Sequence, residues 1–451
     1  MFTSFVALLF SGYPVAFVLG GVGFGFTCVC ELLRAVFGVE TGLDFSLLSL
    51  VVERTYKLMD NGTLVALPMF IFMGVMLDRS GIAEDLLHAV QELFGAVRGG
   101  LAITVTVIGV VLAASTGIIG ASVVLLGVLT IPAMLKQGYA RELAVGVVCG
   151  AGCLGILIPP SIMLVIMADQ LVISVGHLFL GAVFPGLILA GLYVAYILIT
   201  GYLRPHSAPL PQNRRPITAS VVLDVLRTLV PPVVLIVLVL GSIFMGVATP
   251  TEASGVGALG ASVLALLKWK LGYGVLKTVM RNTMQTSAFV FAILVGATCF
   301  SLALRGLGAD DVVEQTLSVL PFGPFGVLAV ILGIVFLLGF VLDWIEITMI
   351  VLPLVSPVIK HLDFQTPGFG LENPNVIWFT VLVDVTLQTS FLTPPVGFAL
   401  FYLKGICPPQ VKVSHIYRGV IPFIILQLVG LTIIILWPQL VTWLPAMSYT
   451  G

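Results

Sequence analysis

Long apolar segments constrain this chain more than any other feature of its sequence. A helix needs about 20 apolar residues to cross the hydrocarbon core of a bilayer. The sequence predicts ten crossings, the first of them short: 2–12, 14–33, 63–78, 142–170, 178–203, 226–247, 249–268, 283–304, 375–404 and 416–446. Because these runs are long and continuous, they exclude the short alternating strands of a membrane barrel. The predicted fold class is an all-α polytopic membrane protein.

The composition excludes several other classes of protein. Of the 451 residues, 59% are hydrophobic and 9% are charged, about a third of the charged share of a soluble protein. A net charge of −1 leaves no basic surface for nucleic acid. The six cysteines lie in or beside apolar segments, where packing is a commoner role than metal binding. The apolar start has no preceding basic segment, so we expect no cleavable signal peptide.

Two apolar stretches, 101–135 and 325–360, differ from the crossings. Each contains about 35 residues with a polar or Gly-rich break in the middle, at 115–122 and at 339–346. Each arm is about 22 Å long as a helix, which suits a re-entrant hairpin better than a crossing. Such irregular backbone is tolerated only where protein or a water-filled cavity surrounds it.

Two crossings also contain breaks, at 155–160 and at 388–395, and both breaks end in Pro-Pro. A separate segment, 45–60, has polar residues every three to four positions and predicts an amphipathic helix in the interface. The sequence 249–252 predicts a Thr cap with Pro at the first helical position and Glu at the third.

The chain repeats itself. Pro159 matches Pro394 at an offset of 235, Pro14 matches Pro250 at 236, and Pro185 matches Pro422 at 237. Five crossings in each half is an odd number, so the second half is predicted to be inverted. The predicted organisation is a first repeat 1–203 (scaffold 1–62, hairpin 101–135, broken helix 142–170), a linker 204–225 and a second repeat 226–451 (scaffold 226–268, hairpin 325–360, broken helix 375–404).

The distribution of basic residues predicts the orientation. With the linker in the cytoplasm, 15 Lys and Arg fall on the cytoplasmic side and 5 on the other. Cytoplasmic loops carry such an excess. Both termini are then periplasmic.

The breaks carry the predicted chemistry. A break frees backbone carbonyls and helix N-termini, which suit a dehydrated Na⁺ and an anion respectively. Alternatives remain for single elements: Pro-Pro as a simple kink, hydroxyls that bond to their own helix, and Asp343 with Glu346 as a capping box. Asp384 either lines a cavity or approaches a cation site. No Gly-x-x-x-x-Gly-Lys-Ser motif is present, so we expect no use of ATP.

Together these stretches resemble the large membrane subunit of tripartite ATP-independent periplasmic (TRAP) transporters over nearly the whole chain. The stretches that carry the resemblance are 12–17, 66–74, 114–122, 155–161, 248–253 and 392–397. The forms at 342–346 and 388–402 are similar to a branch often labelled mannitol/chloroaromatic. Two departures are a start that is shorter than usual and Thr386, where related sequences often have Asn.

The resemblance implies an elevator-type secondary transporter driven by Na⁺, in the bacterial inner membrane. It also implies a small four-helix membrane subunit and a periplasmic binding protein that delivers an organic acid. The implied Na⁺ ligands are Ser115, Thr116, Gly117, Gly120, Gly155, Pro159, Gly339, Asp343, Thr393 and Gly397. The candidate substrate residues, between the two tips, are Ser122, Ser161, Glu346, Thr389 and Ser390. No enzymatic activity is expected.

Two other functions stay open at this point. One is a stand-alone carboxylate/Na⁺ symporter that needs no binding protein. The other is a channel or a non-transporting membrane subunit.

Overall fold

The computed structural model describes residues 1–39, 41–94, 97–116, 119–210, 219–319 and 321–448. Its helices, in chain order, are α1 (Phe2–Leu9), α2 (Val15–Phe37), α3 (Phe45–Met59), α4 (Gly62–Arg79), α5 (Ile82–Leu93), α6 (Gly100–Thr116), α7 (Ile119–Lys136), α8 (Arg141–Cys153), α9 (Ile162–Leu171), α10 (Val175–Leu203), α11 (Ala219–Phe244), α12 (Pro250–Leu267), α13 (Tyr273–Gly306), α14 (Ala309–Ser318), α15 (Pro324–Leu338), α16 (Trp344–Glu346), α17 (Leu352–His361), α18 (Pro374–Leu392), α19 (Phe398–Ile406), α20 (Val413–Leu436) and α21 (Gln439–Ser448). A π-helical turn, Ile347–Val351, joins α16 to α17, so Trp344–His361 is one continuous helix.

The all-α membrane fold is confirmed. Within the described residues, ten helices are long and apolar enough to cross a membrane. The predicted cap at the start of α12 is present: the Glu252 N–H donates to the Thr249 hydroxyl, and the Glu252 carboxylate accepts from the Thr249 N–H at 2.8 Å. The helix predicted at 45–60 is α3, which begins after Asp44 and buries none of its residues.

The first predicted crossing, 2–12, does not cross by itself. Its helix α1 has eight residues, about 12 Å, and the turn at Gly12 separates it from α2. The ten membrane-length helices are not the ten predicted crossings: they include α7 and Trp344–His361, the returning arms of the two hairpins, and do not include the shorter α8 and α9. The inverted order of the second half stays a prediction.

Packing between the halves is reciprocal. Helix α2 packs on α13 of the other half, and α12, its counterpart by the offset of Pro14 and Pro250, packs on α4. Because α4 and α13 hold equivalent places in the two halves, each half supplies one partner to the other. We refer to α2, α4, α12 and α13 as the scaffold; the predicted scaffold ranges, 1–62 and 226–268, contain α2 and α12 but not α4 and α13. The hairpins and the broken helices pack on one another.

Both hairpins have shorter tips than the sequence predicts. In the first, α6 is helical to Thr116 and α7 resumes at Ile119, so only 117–118 separate the two arms. In the second, the tip is 339–343, because the returning helix begins at Trp344. The prediction that the tip extends to Glu346 is therefore wrong: Glu346 is buried within the returning helix.

Candidate transport site

The first broken helix changes direction between α8 and α9. Helix α8 ends at Cys153, a 3₁₀ turn follows at Leu154–Ile156, and α9 begins at Ile162 after a cis Pro159-Pro160 bond. Gly155, Pro159 and Ser161 are all buried. The Ser161 hydroxyl donates to the Ile156 carbonyl on the other side of the break. This candidate substrate residue therefore also stabilises the backbone of the break.

The returning arm of the first hairpin lies directly on this broken helix. A Cβ on Gly152 would come 2.5 Å from Val123 Cγ2 and 3.1 Å from Val123 Cα. Such close approach is possible only because position 152 has no side chain. It brings the buried Ser122, next to Val123, alongside the end of α8.

The second break lies between α18 and α19, at 393–397. The prediction that it begins at Gln388 is wrong, because Gln388, Thr389 and Ser390 are helical residues of α18. Buried residues run without interruption from Val376 to Leu392, and this packing holds the helix intact up to Thr393. The break contains the cis Pro394-Pro395 bond and Gly397 at φ 32°.

Hydroxyl groups around the second break have defined partners. Thr389 donates to Val385 O at 2.8 Å, and Thr393 donates to Thr389 O at 2.7 Å. Thr386 likewise donates to Leu382 O, inside its own helix. A hydroxyl that donates to a carbonyl still has a lone pair to offer, so Thr393 keeps its capacity to coordinate a cation.

The second tip packs on α18 through Gly339 and Ser390. The Ser390 hydroxyl donates to Phe336 O at 2.8 Å, in the outgoing arm α15. A Cβ on Gly339 would lie 2.6 Å from Ser390 Oγ. Ser390 therefore ties the hairpin to the broken helix, a structural role beside its candidate role in substrate binding.

Asp343 and Glu346 bring two carboxyl groups to this tip. Asp343 accepts a hydrogen bond from the Trp344 N–H at 2.8 Å. In a full capping box Asp343 would accept from the Glu346 N–H; here Asp343 is the N-cap residue but accepts from the Trp344 N–H. Glu346 is 1% exposed, and its Oε2 has no hydrogen-bond partner among the described residues. No Lys, Arg or His in the described chain forms an ion pair with either carboxyl group.

The first hairpin packs against Tyr402, one turn into α19. A Cβ on Gly120 would lie 2.9 Å from Tyr402 Cζ. Sequence reasoning missed Tyr402 as a site residue. The available signal was an aromatic residue with a polar end just after a break in a membrane helix.

Part of the first predicted site lies outside the described residues. Gly117 lies outside the described residues, as do the side chains of Ser115 and Thr116. Gly120, Gly155 and Pro159 are described. Around the second break, Gly339, Asp343, Thr393 and Gly397 are all described, and the tip and the break are joined through Ser390.

These residues fit Na⁺. Unwound carbonyls at helix breaks are the ligands that transporters use for this ion, and both breaks supply them. The unpartnered Glu346 Oε2 adds a buried carboxyl oxygen at the second tip. Among the described residues no cluster of His, Cys, Asp and Glu suits a multivalent metal.

Comparisons with known proteins agree with this architecture. Residues 2–440 match the family described as "Tripartite ATP-independent periplasmic transporter, DctM component". The chain is 28% identical to the C4-dicarboxylate TRAP transporter large permease protein DctM of Vibrio cholerae, over 99% of this chain and 97% of that protein. It is 27% identical to the ectoine/5-hydroxyectoine large permease protein UehC of Ruegeria pomeroyi, over 100% and 99%. It is 26% identical to the sialic acid large permease protein SiaM of Vibrio cholerae, over 98% and 97%.

A solved structure shares the fold. The YdaH transporter of Alcanivorax borkumensis, described as having an unusual topology, superposes with a TM-score of 0.63 at 11% identity, over 96% of this chain and 97% of that one. The family match covers nearly the whole chain and includes both breaks and both hairpins. The chain therefore belongs to the large membrane-subunit (DctM) family of TRAP transporters, and it is a transport protein rather than an enzyme.

Proposed function

We propose that this chain is the membrane carrier for Na⁺-coupled uptake of an organic acid that a periplasmic binding protein delivers. The observation that carries the proposal is the duplicated arrangement of a hairpin tip packed on a broken helix. A small four-helix membrane subunit would complete the carrier. The names of the three relatives include three different substrates. The transported acid is therefore identified by measuring uptake of a panel of compounds that contains C4-dicarboxylates, ectoine and sialic acid.

In this proposal one Na⁺ binds at each break. The first lies among Ser115, Thr116, Gly117, Gly120, Gly155 and Pro159. The second lies among Gly339, Asp343, Thr393 and Gly397. The substrate lies between the tips, near Ser122, Ser161, Glu346, Thr389 and Ser390. No Lys or Arg occurs in either break or tip, so a carboxylate would be held by helix N-termini, hydroxyl groups and the bound Na⁺ itself.

The proposed motion is that of an elevator: hairpins and broken helices move together past the scaffold. Among the described residues, a side-chain bond joins the two parts from Asn61 Nδ2, at the N-cap of scaffold helix α4, to Asp169 Oδ1, in α9, at 2.6 Å. That bond must break for the carrier body to move. The excess of Lys and Arg on the linker side favours a cytoplasmic linker, and in this proposal both termini are periplasmic.

The coupling ion is tested with the three components reconstituted in liposomes. Uptake of the transported acid should need an inward Na⁺ gradient and no ATP. The control replaces Na⁺ by choline at constant pH and membrane potential. Full uptake under that condition would overturn Na⁺ coupling, and uptake without the binding protein would favour the stand-alone symporter.

The elevator is tested with two cysteine pairs in a background without native cysteines. Asn61→Cys with Asp169→Cys, bridged by Cd²⁺ or a short thiol reagent, should abolish uptake because it ties the carrier body to the scaffold. Gly127→Cys with Ile406→Cys is the matched pair within the carrier body, where a Cβ on Gly127 would lie 2.4 Å from Ile406 Cδ1. Bridging this second pair should leave uptake largely intact. Equal arrest by both pairs would exclude an elevator.

A further inference from the structure

Asp384 is a buried carboxyl group that the proposed Na⁺ and substrate sites do not use. It lies in α18 and is 0% exposed, and neither of its carboxylate oxygens has a hydrogen-bond partner among the described residues. An unpaired charge buried in this way costs several kcal/mol. An ionisable residue inside a membrane segment is by default a candidate functional residue. Asp384 must therefore be neutral, or it must be neutralised by a bound cation.

The neighbours of Asp384 on α18 form a polar stripe. Thr380, Asp384 and Gln388 are four residues apart and so share one side of the helix. The Thr380 hydroxyl donates to Val376 O at 2.6 Å. Both polar atoms of the Gln388 amide lack a hydrogen-bond partner among the described residues, as both oxygens of Asp384 do. The two unsatisfied groups therefore lie one turn apart in a buried helix.

No charged side chain of the described residues compensates Asp384. The helices packed on α18 are α8, α10, α15, α17, α19, α20 and α21, with the 3₁₀ turn Leu154–Ile156. Their titratable side chains are Arg141, Glu142, Cys149, Cys153, His177, Tyr193, Tyr196, Tyr202, Lys360, His361, Tyr402, Lys404, His415, Tyr417 and Arg418. None of them acts electrostatically on Asp384.

We propose that Asp384, assisted by Gln388, is a proton-binding site in the carrier body, separate from the two breaks. A proton needs a single acceptor oxygen. A Na⁺ ion needs several convergent oxygens, which side chains one helical turn apart, about 5.4 Å, do not supply alone. On loading, an O–H bond forms at the Asp384 carboxylate, and on release it breaks and the proton returns to water. The transport role of this site rests on the proposed carrier function.

Infrared spectroscopy of the purified chain tests the proton site without any substrate. The wild type should show a carboxylic-acid C=O band at neutral pH that Asp384→Asn removes. Asp169→Asn is the control and should keep the band, because Asp169 accepts hydrogen bonds from Asn61 and Gln170. Gln388→Leu should shift the pH at which the band disappears by about one unit. This second variant keeps the test decisive if Asp384→Asn does not fold.

Each other infrared outcome overturns the proposal. An identical band in the wild type and Asp384→Asn means that Asp384 is ionised. A band that appears only when Na⁺ is withdrawn means that the site holds Na⁺.

Proton movement is then measured with a pH dye inside liposomes that contain the complete three-component system. Addition of the transported acid should acidify the lumen in the wild type and in Asp384→Glu. Asp384→Asn should abolish that signal and retain Na⁺-driven uptake. If acidification persists in Asp384→Asn while uptake still needs Na⁺, this inference alone fails. If wild-type uptake needs no Na⁺, the proposed function fails whatever the proton signal.

Discussion

The two breaks have the same backbone plan but differ in charge. In the first half, the described polar side chains next to the break, Ser122 and Ser161, are neutral. In the second half, the tip beside the break carries Asp343 and Glu346, and Glu346 has a buried oxygen without a partner. Both breaks therefore offer backbone carbonyls, whereas among the described residues only the second has acidic side chains at its hairpin tip. The charge of a Na⁺ at the first site would remain available to attract the substrate carboxylate. The charge of a Na⁺ at the second site would be largely neutralised by the acidic side chains of the tip.

The tips also differ in what limits their position. Gly339 faces Ser390, which is fixed on a fully buried part of α18 and bonded back to the hairpin at Phe336. Gly120 faces the far end of the Tyr402 ring, and Tyr402 is 43% exposed. The second tip is therefore held by rigid contacts, and the first by a side chain that can turn away.

The largest expected effect follows from this difference in packing. Gly339→Ala places a Cβ 2.6 Å from Ser390 Oγ and 2.9 Å from Ser390 Cβ. Overpacking of this kind costs about 1–3 kcal/mol, so we expect uptake to fall about tenfold or more while insertion stays normal. Initial uptake rates and the amount of inserted protein are the measurements.

The matched variant is Gly120→Ala, whose Cβ would lie 2.9 Å from Tyr402 Cζ. Because the Tyr402 ring can rotate, we expect uptake by Gly120→Ala to fall by less than about threefold. This corresponds to a free-energy cost well under about 1.4 kcal/mol. Equal losses of uptake from the two alanine substitutions would show that the two tips are equally constrained, and would contradict the difference in packing described above.

A smaller effect is expected from removing the acidic charge, which only the second site has, and it should be seen in the Na⁺ dependence of uptake. Asp343→Asn keeps a capping side chain but removes the charge beside the second Na⁺, so half-maximal uptake should need about tenfold more Na⁺, equivalent to about 1.4 kcal/mol. Glu346→Gln should act in the same direction more weakly. The measurement is the Na⁺ dependence of initial uptake.

The control for the acidic tip is Asp44→Asn, at the N-terminus of α3. Asp44 accepts a hydrogen bond from the Leu47 N–H at 2.7 Å, and Asn caps a helix about as well. Its Na⁺ requirement should be unchanged. If Asp343→Asn matches this control, Asp343 is a cap and the second site loses its charged ligand.

The sequence by itself determined the membrane class, the order of hairpins and broken helices and the repeat. These follow from long-range composition and from Gly and Pro at fixed offsets, because lipid allows the backbone few alternatives. It also located each break to within a few residues, through the doubled Pro-Pro. The cap at Thr249 could also be predicted from the sequence, because it depends on four consecutive residues.

The tertiary structure alone decided where each break ends and which residues meet there. Gln388, Thr389 and Ser390 stay helical because neighbouring helices bury α18 on every side. Glu346 is likewise part of the returning helix, and Tyr402 packs against the first hairpin at Gly120. The Asn61–Asp169 bond joins residues 108 positions apart. Such contacts depend on how helices that are distant in sequence pack together, and local sequence patterns do not specify that packing.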